Sequence, residues 1–252
     1  MQLPADRHAA LARLAGGLIV SCQARPDNPL HGPAFMAAMA LAAQQGGAAG
    51  LRMNGPDEIR AARRLSSLPI IGLFKRRYQG SSIEITPTMA EAEAVAAAGA
   101  AIIALDATGR PRPDGGSLAE LIERIHRDLE LPVLADCARV TDALAAEAAG
   151  ADAVATTLSG YLDPALPPPE EPDLDLVRAL AARLRVPVIA EGRIRTPAQA
   201  AEALRRGAYA VVVGTAITNP REITRWFVRA LGRPAPDPSE GSSGGRGGEY
   251  TR

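Results

Sequence analysis

The stretch GAAIIALD (99–106) shows the pattern that decides the fold: a glycine–alanine step, a short apolar run, and an acidic residue at its end. Apolar runs of this length without polar alternation are typical of parallel strands that are buried on both faces. We predict eight such strands, within GGLIVSCQ (16–23), AGLRMN (49–54), PIIGLFK (69–75), AAIIALD (100–106), LPVLAD (131–136), ADAVATT (151–157), PVIAEG (187–192) and AYAVVVGTA (208–216).

The strands are followed by segments that carry the residues typical of helix ends. Gly99, Gly150 and Gly207 each precede an alanine that leads into the next strand, as expected where glycine ends a helix. A short helix at 6–15 is expected to plug the amino-terminal mouth. The remaining helices are predicted at 33–45, 56–65, 88–98, 117–129, 141–149, 173–184, 197–206 and 220–231.

Eight strands, each followed by a helix, predict an α/β fold, a closed (β/α)₈ TIM barrel. The length of 252 residues matches the roughly 250 that one such barrel needs. We therefore predict one domain over residues 1–232. The segment 233–252 is polar, rich in glycine and proline, and without apolar periodicity, which predicts a disordered tail.

The composition narrows the class of protein. Lysine plus arginine and aspartate plus glutamate number 28 each, so no net charge attracts nucleic acid or a membrane surface. No apolar run approaches the roughly 20 residues of a membrane span, and the start of the chain does not resemble a secretory signal. Cys22 and Cys137 have no metal-ligand spacing and are expected to be buried, reduced thiols. A cytoplasmic enzyme is the simple expectation.

The apolar runs stop at polar side chains, or at glycine in the eighth. In a (β/α)₈ barrel the active site lies at the carboxyl ends of the strands, so these residues are expected to form a ring around it. Long loops at 107–116 and 158–172 follow two of the strands on the same face and are expected to help build a substrate pocket. The polar residues of the ring are Gln23, Arg52, Lys75, Asp106, Asp136, Thr157 and Glu191.

Lys75 and Glu191 are the candidate catalytic residues. Lys75 is the only lysine in the chain and follows an inner strand directly, while Glu191 stands between an alanine and a glycine at the end of another. A lysine and a carboxylate in one ring suggest proton transfer. Each also has a simpler interpretation: Lys75 as a solvated residue that begins a basic loop, and Glu191 as a structural ion-pair partner.

The loops after the last two strands are candidates for phosphate binding, as they often are in this fold. Gly192 and Arg193 belong to the first loop, and Gly214 and Thr215 open the second. Glycine lets backbone N–H groups approach phosphate oxygens closely.

The other ring residues are candidate substrate contacts. Arg52 has the planar fork that clamps an oxyanion or carbonyl. Gln23 and Asp136 offer hydrogen bonds to substrate hydroxyls, and Thr157 is grouped with them. Asp106 could orient Lys75 or hold a hydroxyl, although Asp106 and Asp136 could equally accept hydrogen bonds from loop N–H groups. His126 lies on a helix among charged residues and is expected to be solvated.

Several segments resemble the N-acetylmannosamine-6-phosphate 2-epimerases. They are GGLIVSCQA (16–24), GLRMN (50–54), PIIGLFKRRY (69–78), LDATGRPRPDG (105–115), ADC (135–137), TTLSGY (156–161), VIAEGRI (188–194) and VVVGTAIT (211–218). The resemblance implies a TIM-barrel isomerase that interconverts N-acetylmannosamine 6-phosphate and N-acetylglucosamine 6-phosphate in sialic acid and amino-sugar catabolism. It implies no metal and no organic cofactor. It also implies Lys75 as the catalytic lysine, Glu191 as its partner, and Gln23, Arg52 and Asp136 as substrate contacts.

The resemblance has one departure that bears on the site. The family often carries a basic residue near the start of the last helix, in a step like ITRP, where this chain has Asn219 followed by Pro220. Arg221 is the candidate to replace it. Two other functions remain open: a Schiff-base aldolase or lyase on a sugar phosphate, and a non-catalytic sugar-phosphate sensor. The expected partner is a small sugar phosphate, not nucleic acid or a membrane, and a homodimer is kept open.

Overall fold

The computed structural model describes residues 8–163, 165–167 and 169–233. The predicted disordered tail lies outside the described residues apart from Arg233, and so do the first two residues of the helix predicted at 6–15.

Eight parallel strands close into a barrel in which each strand pairs with its neighbours in chain order and β1 pairs with β8. This confirms the predicted TIM barrel, and every strand lies inside the run predicted for it. The strands are β1 (Leu18–Cys22), β2 (Gly50–Asn54), β3 (Ile70–Leu73), β4 (Ile102–Asp106), β5 (Val133–Asp136), β6 (Ala153–Ala155), β7 (Val188–Glu191) and β8 (Ala210–Val213).

The helices lie where the punctuation predicted them, with differences of a few residues at their ends. They are α1 (Ala9–Ala12), α2 (Pro33–Gln45), α3 (Pro56–Arg63), α4 (Met89–Ala97), α5 (Leu118–Arg124), α6 (Val140–Ala148), α7 (Leu174–Ala181), α8 (Pro197–Arg205), α9 (Thr215–Thr218) and α10 (Pro220–Ala230).

Two features of the helices were not predicted. The single helix expected at 117–129 is α5 followed by a π-helical turn at Ile125–Leu129, which ends where Glu130 adopts a left-handed φ of 55°. The four-residue helix α9 follows β8 almost directly, and its length is too short to show a helical period.

The core has two layers, one inside the barrel and one between the sheet and the helices. Leu11 and Leu14, in and just after α1, pack with the inner layer, so this segment closes the amino-terminal end of the barrel as predicted. The open end is therefore the carboxyl end of the strands. The strand side chains of the inner layer are Ile19, Ile71, Leu73, Ile102, Ala104, Leu134, Ala153, Ala155, Ile189, Ala210 and Val212.

The last helix, α10, is not covered like the others. None of its 11 residues is buried, and its apolar side chains include Phe227, which is 69% exposed. Leu231, directly after the helix, is 80% exposed. Among the helices of the described ranges, none combines the length and the apolar character that crossing a bilayer requires.

The prediction that His126 is solvated was wrong. Its Nε2 lies 2.7 Å from Oδ2 of the buried Asp152, which also accepts a hydrogen bond of 2.7 Å from the Val133 N–H. The histidine therefore ties the π-helical turn to the strand ends at the closed end of the barrel. The cysteine prediction was correct, because Cys22 and Cys137 are both buried and free. Burial raises the pKa of Cys22 to about 12, so its thiol is unreactive.

Candidate active site

Strand alternation brings the polar ring residues into the mouth of the barrel. Successive side chains of a strand point to opposite faces, so a residue two positions after an inward apolar residue also points inward. On β3 the inward Ile71 and Leu73 are followed at the same spacing by Lys75, and on β7 the inward Ile189 is followed by Glu191. The same two-residue spacing points the side chains of Arg52 on β2, Asp106 on β4, Asp136 on β5 and Thr157 just after β6 inward.

Arg52 lies at the centre of the site and is only 1% exposed. Its NH1 and NH2 donate hydrogen bonds to the two carboxylate oxygens of Asp136, at 3.0 Å and 2.6 Å. Its NH1 also lies 3.1 Å from Oε2 of Glu191. Burial opposes the charge of Arg52, but the two carboxylates outweigh it and raise its pKa above the ordinary value. Arg52 is therefore a fixed positive charge.

Asp136 is fully buried and its oxygens are occupied. Besides the two bonds from Arg52, its Oδ1 accepts a hydrogen bond of 2.7 Å from the Thr157 hydroxyl. The same hydroxyl lies 3.0 Å from Oε2 of Glu191. Asp136 and Thr157 thus organise Arg52 and Glu191, a connection that the sequence pattern did not reveal.

The backbone of Lys75 is fixed by two polar side chains. Asn54, the last residue of β2, accepts a 2.8 Å hydrogen bond from the Lys75 N–H. The Thr86 hydroxyl accepts one of 3.1 Å from the preceding residue, Phe74, and donates one of 2.6 Å to the Ala104 carbonyl. Sequence reasoning missed Asn54 and Thr86, although Asn54 stands in the same strand-end position as other ring residues.

The amine of Lys75 makes no ion pair with any residue of the described ranges. Lys75 has an exposed surface because it stands at the open mouth. Protein nevertheless surrounds its amine, and this desolvation, followed by the positive charge of Arg52, lowers its pKa. Glu191 and Asp136 oppose the shift without reversing it. The neutral, basic form of Lys75 is therefore more accessible than in a surface lysine.

The pKa of Glu191 shifts in the opposite direction. Burial raises the pKa of its carboxyl above the ordinary value of 4.5, the charge of Arg52 lowers it, and the charge of Asp136 raises it again. A base and an acid are thus brought together at one mouth, with the pKa of each moved toward neutrality.

No hydrogen bond or ion pair joins Asp106 to Lys75 within the described residues. Its Oδ1 accepts hydrogen bonds from the Thr108 N–H at 2.9 Å and from the Thr108 hydroxyl at 2.6 Å, and its Oδ2 pairs with Arg110. The second interpretation of Asp106, as an acceptor for loop groups, fits these contacts. The loop at 107–116 is further held by Arg112, which donates to the carbonyls of Pro87 and Asp106.

Gln23 retains an unused acceptor. Its Nε2 donates to the Ser21 hydroxyl at 3.0 Å, and its Oε1 is buried without a hydrogen-bond partner in the described residues. A buried carbonyl oxygen without a partner is unfavourable, so Gln23 is suited to accept a hydrogen bond from a bound molecule.

The four candidate phosphate-binding residues divide into backbone and side-chain roles. Gly192 turns the chain after Glu191 with a φ of 111°, and Arg193 follows with a φ of 58°. The Arg193 guanidinium donates to the carbonyls of Ser159 and Glu171 and stacks over Tyr161, so it holds the loop at 158–172.

The amides of all four residues donate to no protein acceptor within the described residues, which leaves them free for an anion. The four are Gly192, Arg193, Gly214 and Thr215.

The two residues considered near the start of the last helix have structural partners. Asn219 caps α10 by accepting from the Glu222 N–H at 3.3 Å. Arg221 donates to the carbonyl and carboxylate of Asp27, at 2.8 Å and 3.0 Å. Neither side chain is thus as free for a ligand as the amides of Gly214 and Thr215. Within the part of the chain that the structure describes, no three His, Cys, Asp or Glu side chains are grouped closely enough to hold a metal ion.

Comparison with known proteins places this site in a family. The model of the family described as "Putative N-acetylmannosamine-6-phosphate epimerase" matches residues 36–233. The chain belongs to this epimerase family. The resemblance seen in the sequence motifs is therefore confirmed.

Individual relatives agree over nearly their whole length. A Cutibacterium acnes protein named "Putative N-acetylmannosamine-6-phosphate 2-epimerase" is 50% identical over 223 residues, 88% of this chain and 96% of the relative. A Salmonella paratyphi A protein named "Putative N-acetylmannosamine-6-phosphate 2-epimerase 2" is 51% identical over 222 residues, 88% of this chain and 94% of the relative. The solved structure of the N-acetylmannosamine-6-phosphate 2-epimerase from Clostridium perfringens superimposes with a TM-score of 0.85 at 43% identity. It covers 89% of this chain and 97% of that one.

Proposed function

We propose that this epimerase interconverts N-acetylmannosamine 6-phosphate and N-acetylglucosamine 6-phosphate by removing and returning the proton on C2. The observation that carries the proposal is that Lys75 and Glu191 share the barrel mouth with Arg52, with the pKa of the amine lowered and that of the carboxyl raised. The names of the relatives supply the substrate. We place the reaction in the cytoplasm, in sialic acid and amino-sugar catabolism.

Proton removal is assigned to Lys75. In the open-chain sugar, C2 lies beside the aldehyde, so its C–H bond is acidic. The neutral Lys75 amine takes this proton, and the electron pair of the bond moves to the aldehyde oxygen to form an enolate. The desolvated position beside Arg52 favours the neutral amine that this step needs.

The enolate oxygen is assigned to Arg52 and Glu191. Arg52 is a permanent positive charge held by Asp136, and Glu191 in its acid form can donate a proton or a hydrogen bond. Preorganised groups of this kind stabilise negative charge as it develops. A proton returned to C2 from the opposite face, with the electron pair moving back, gives the epimer.

The phosphate is assigned to the free amides at Gly192, Arg193, Gly214 and Thr215. Gln23 supports a sugar contact through its unpartnered Oε1. Holding the phosphate away from C2 supplies binding energy that positions the reacting carbon beside Lys75.

Proton NMR of N-acetylmannosamine 6-phosphate with the enzyme in deuterated water tests the proposal. We expect the N-acetylglucosamine 6-phosphate signals to grow while deuterium replaces hydrogen at C2. A bound but unexchanged substrate would indicate the sensor function instead. Covalent trapping of the substrate on Lys75 by borohydride would indicate the Schiff-base aldolase.

We also propose that two copies of the chain associate through α10. Water contacts every residue of this helix, and Phe227 and Leu231 present large apolar side chains to it, which is unfavourable for a lone barrel. Phe227→Glu should convert a dimer into monomers in sedimentation velocity. Arg229→Glu, on an exposed residue of the same helix, is the charge control. A wild-type protein that sediments as a monomer at micromolar concentration would contradict the proposal.

A further inference from the structure

The Thr157 hydroxyl contacts two carboxyl groups but has only one hydrogen to donate. Its Oγ1 lies 2.7 Å from Oδ1 of Asp136 and 3.0 Å from Oε2 of Glu191. A hydroxyl carries one donor hydrogen and two acceptor lone pairs. One contact is therefore a donation from Thr157, and the other is attractive only if the carboxyl donates to Thr157.

The hydrogen of Thr157 belongs to the contact with Asp136. Both hydrogen bonds of the Arg52 fork go to Asp136, whereas Glu191 is near NH1 only at ion-pair distance. Asp136 is thus the carboxylate in bidentate contact with Arg52, and a carboxylate held in such an ion pair is a strong acceptor. The contact with Asp136 is also the shorter of the two.

The Thr157 oxygen then turns a lone pair toward Glu191. Two oxygens 3.0 Å apart without a hydrogen between them repel one another, whereas a proton on the carboxyl makes the contact attractive. We propose that Thr157 is a positioning residue that holds the acid proton of Glu191 on Oε2, in a chain running from Glu191 through Thr157 to Asp136. The three residues lie at the ends of the adjacent strands β7, β6 and β5.

The charges around Glu191 are consistent with this proton. With the charge of Arg52 balanced by the Asp136 carboxylate, a single proton held by either Glu191 or Lys75 leaves the four groups with no net charge. Moving the proton from Glu191 to Lys75 leaves the net charge at zero, so the site can exchange these two states without uptake from solvent. By accepting the proton of Glu191, Thr157 favours the state in which Glu191 is protonated and Lys75 is neutral. Describing Thr157 as a positioning residue rests on the proposed function, whereas the presence of a proton on Glu191 does not.

The direction in which a Thr157 substitution changes the pKa of Glu191 tests the inference, and this experiment needs no substrate. If Thr157 accepts from Glu191, removing the hydroxyl in Thr157→Val should lower the pKa of Glu191. If Thr157 instead donates to Glu191, the same change should raise it. The pKa is followed by ¹³C NMR of carboxyl-labelled glutamate, with the signal assigned by its loss in Glu191→Gln. Thr157→Ser keeps the hydroxyl and should titrate like the wild type. A raised or unchanged pKa in Thr157→Val overturns the proposal.

A second measurement needs no Thr157 variant. The infrared spectrum of the substrate-free wild type near neutral pH should contain a protonated-carboxyl C=O band that is missing from Glu191→Gln. If the two spectra are identical in that region, Glu191 carries no proton and the inference is wrong, whether or not the enzyme epimerises. In turnover, Thr157→Val should lower kcat/KM on the alkaline side by roughly 2- to 12-fold, the range of one hydrogen bond. Thr157→Ser should restore it.

Discussion

The two carboxyl groups around Arg52 should respond very differently to the same chemical change. Asp136→Asn and Glu191→Gln each replace a carboxyl by an amide of nearly the same size. Arg52 is 1% exposed and directs both of its hydrogen bonds to Asp136, while Glu191 lies only at ion-pair distance. We expect the first change to destabilise the fold and the second to stop the reaction.

The magnitudes follow from this asymmetry. Removing one partner of a buried ion pair costs about 3–5 kcal/mol, and each kcal/mol lowers the Tm of a domain of this size by about 2–4 °C. Asp136→Asn should therefore lower the Tm by roughly 6–20 °C. Glu191→Gln leaves Arg52 paired, so its Tm should stay within about 4 °C of the wild type. Its turnover should fall by roughly 10²–10⁴-fold, the range of a lost catalytic acid.

Calorimetry and the NMR epimerisation assay on the same preparations measure both effects. Asp128→Asn removes one negative charge from an exposed pair with Arg127 and controls for the change in net charge. The reasoning is refuted if Glu191→Gln lowers the Tm as much as Asp136→Asn and retains normal turnover per folded molecule. Glu191 would then be the structural counter-charge of Arg52.

Three further results are expected. Lys75→Met should lower turnover by roughly 10²–10⁴-fold in a folded protein. The control Arg77→Met changes a side chain that is 87% exposed and should leave turnover unchanged. Near-normal turnover in Lys75→Met would exclude Lys75 as the base. Burial raises the pKa of Glu191 above 4.5. The stability advantage of the wild type over Glu191→Gln should therefore be largest below pH 4.5 and be lost as the pH rises through the pKa of Glu191 in the folded protein. Urea unfolding across pH measures this, and a constant difference would contradict it. Deletion of residues 235–252, outside the described residues, should leave the Tm and turnover unchanged, and a large fall in Tm would show that the segment docks.

The sequence predicted the barrel and the ring of polar residues because both depend on a local pattern. Eight apolar runs set the strands, and the polar side chain at which a run stops marks the carboxyl end of its strand. Lys75, Arg52 and Glu191 were found on that basis alone, and their catalytic roles stay predictions.

The partners of the ring residues depend on loop paths and on contacts between distant residues. Arg193 could not be assigned to the loop at 158–172, because no period in the sequence encodes how that loop returns. His126 was misjudged for the same reason: its partner, Asp152, is 26 residues away. The bond between Asn54 and Lys75 joins two strand ends and is equally invisible in a local pattern. Asp106 is different: its partners Thr108 and Arg110 are only two and four residues away, and the sequence left its two interpretations open.

The surroundings of the exposed α10 can be followed by the intrinsic fluorescence of the protein. The only tryptophan of the chain, Trp226, lies on this helix, 5.1 Å from the Arg195 guanidinium. Indole emission therefore reports the surroundings of α10, while circular dichroism reports the barrel and its helices together. A helix that separates from its neighbours before the barrel melts would shift the emission first. The two signals would then trace two transitions, and only the earlier one would move with protein concentration if a second copy covers α10.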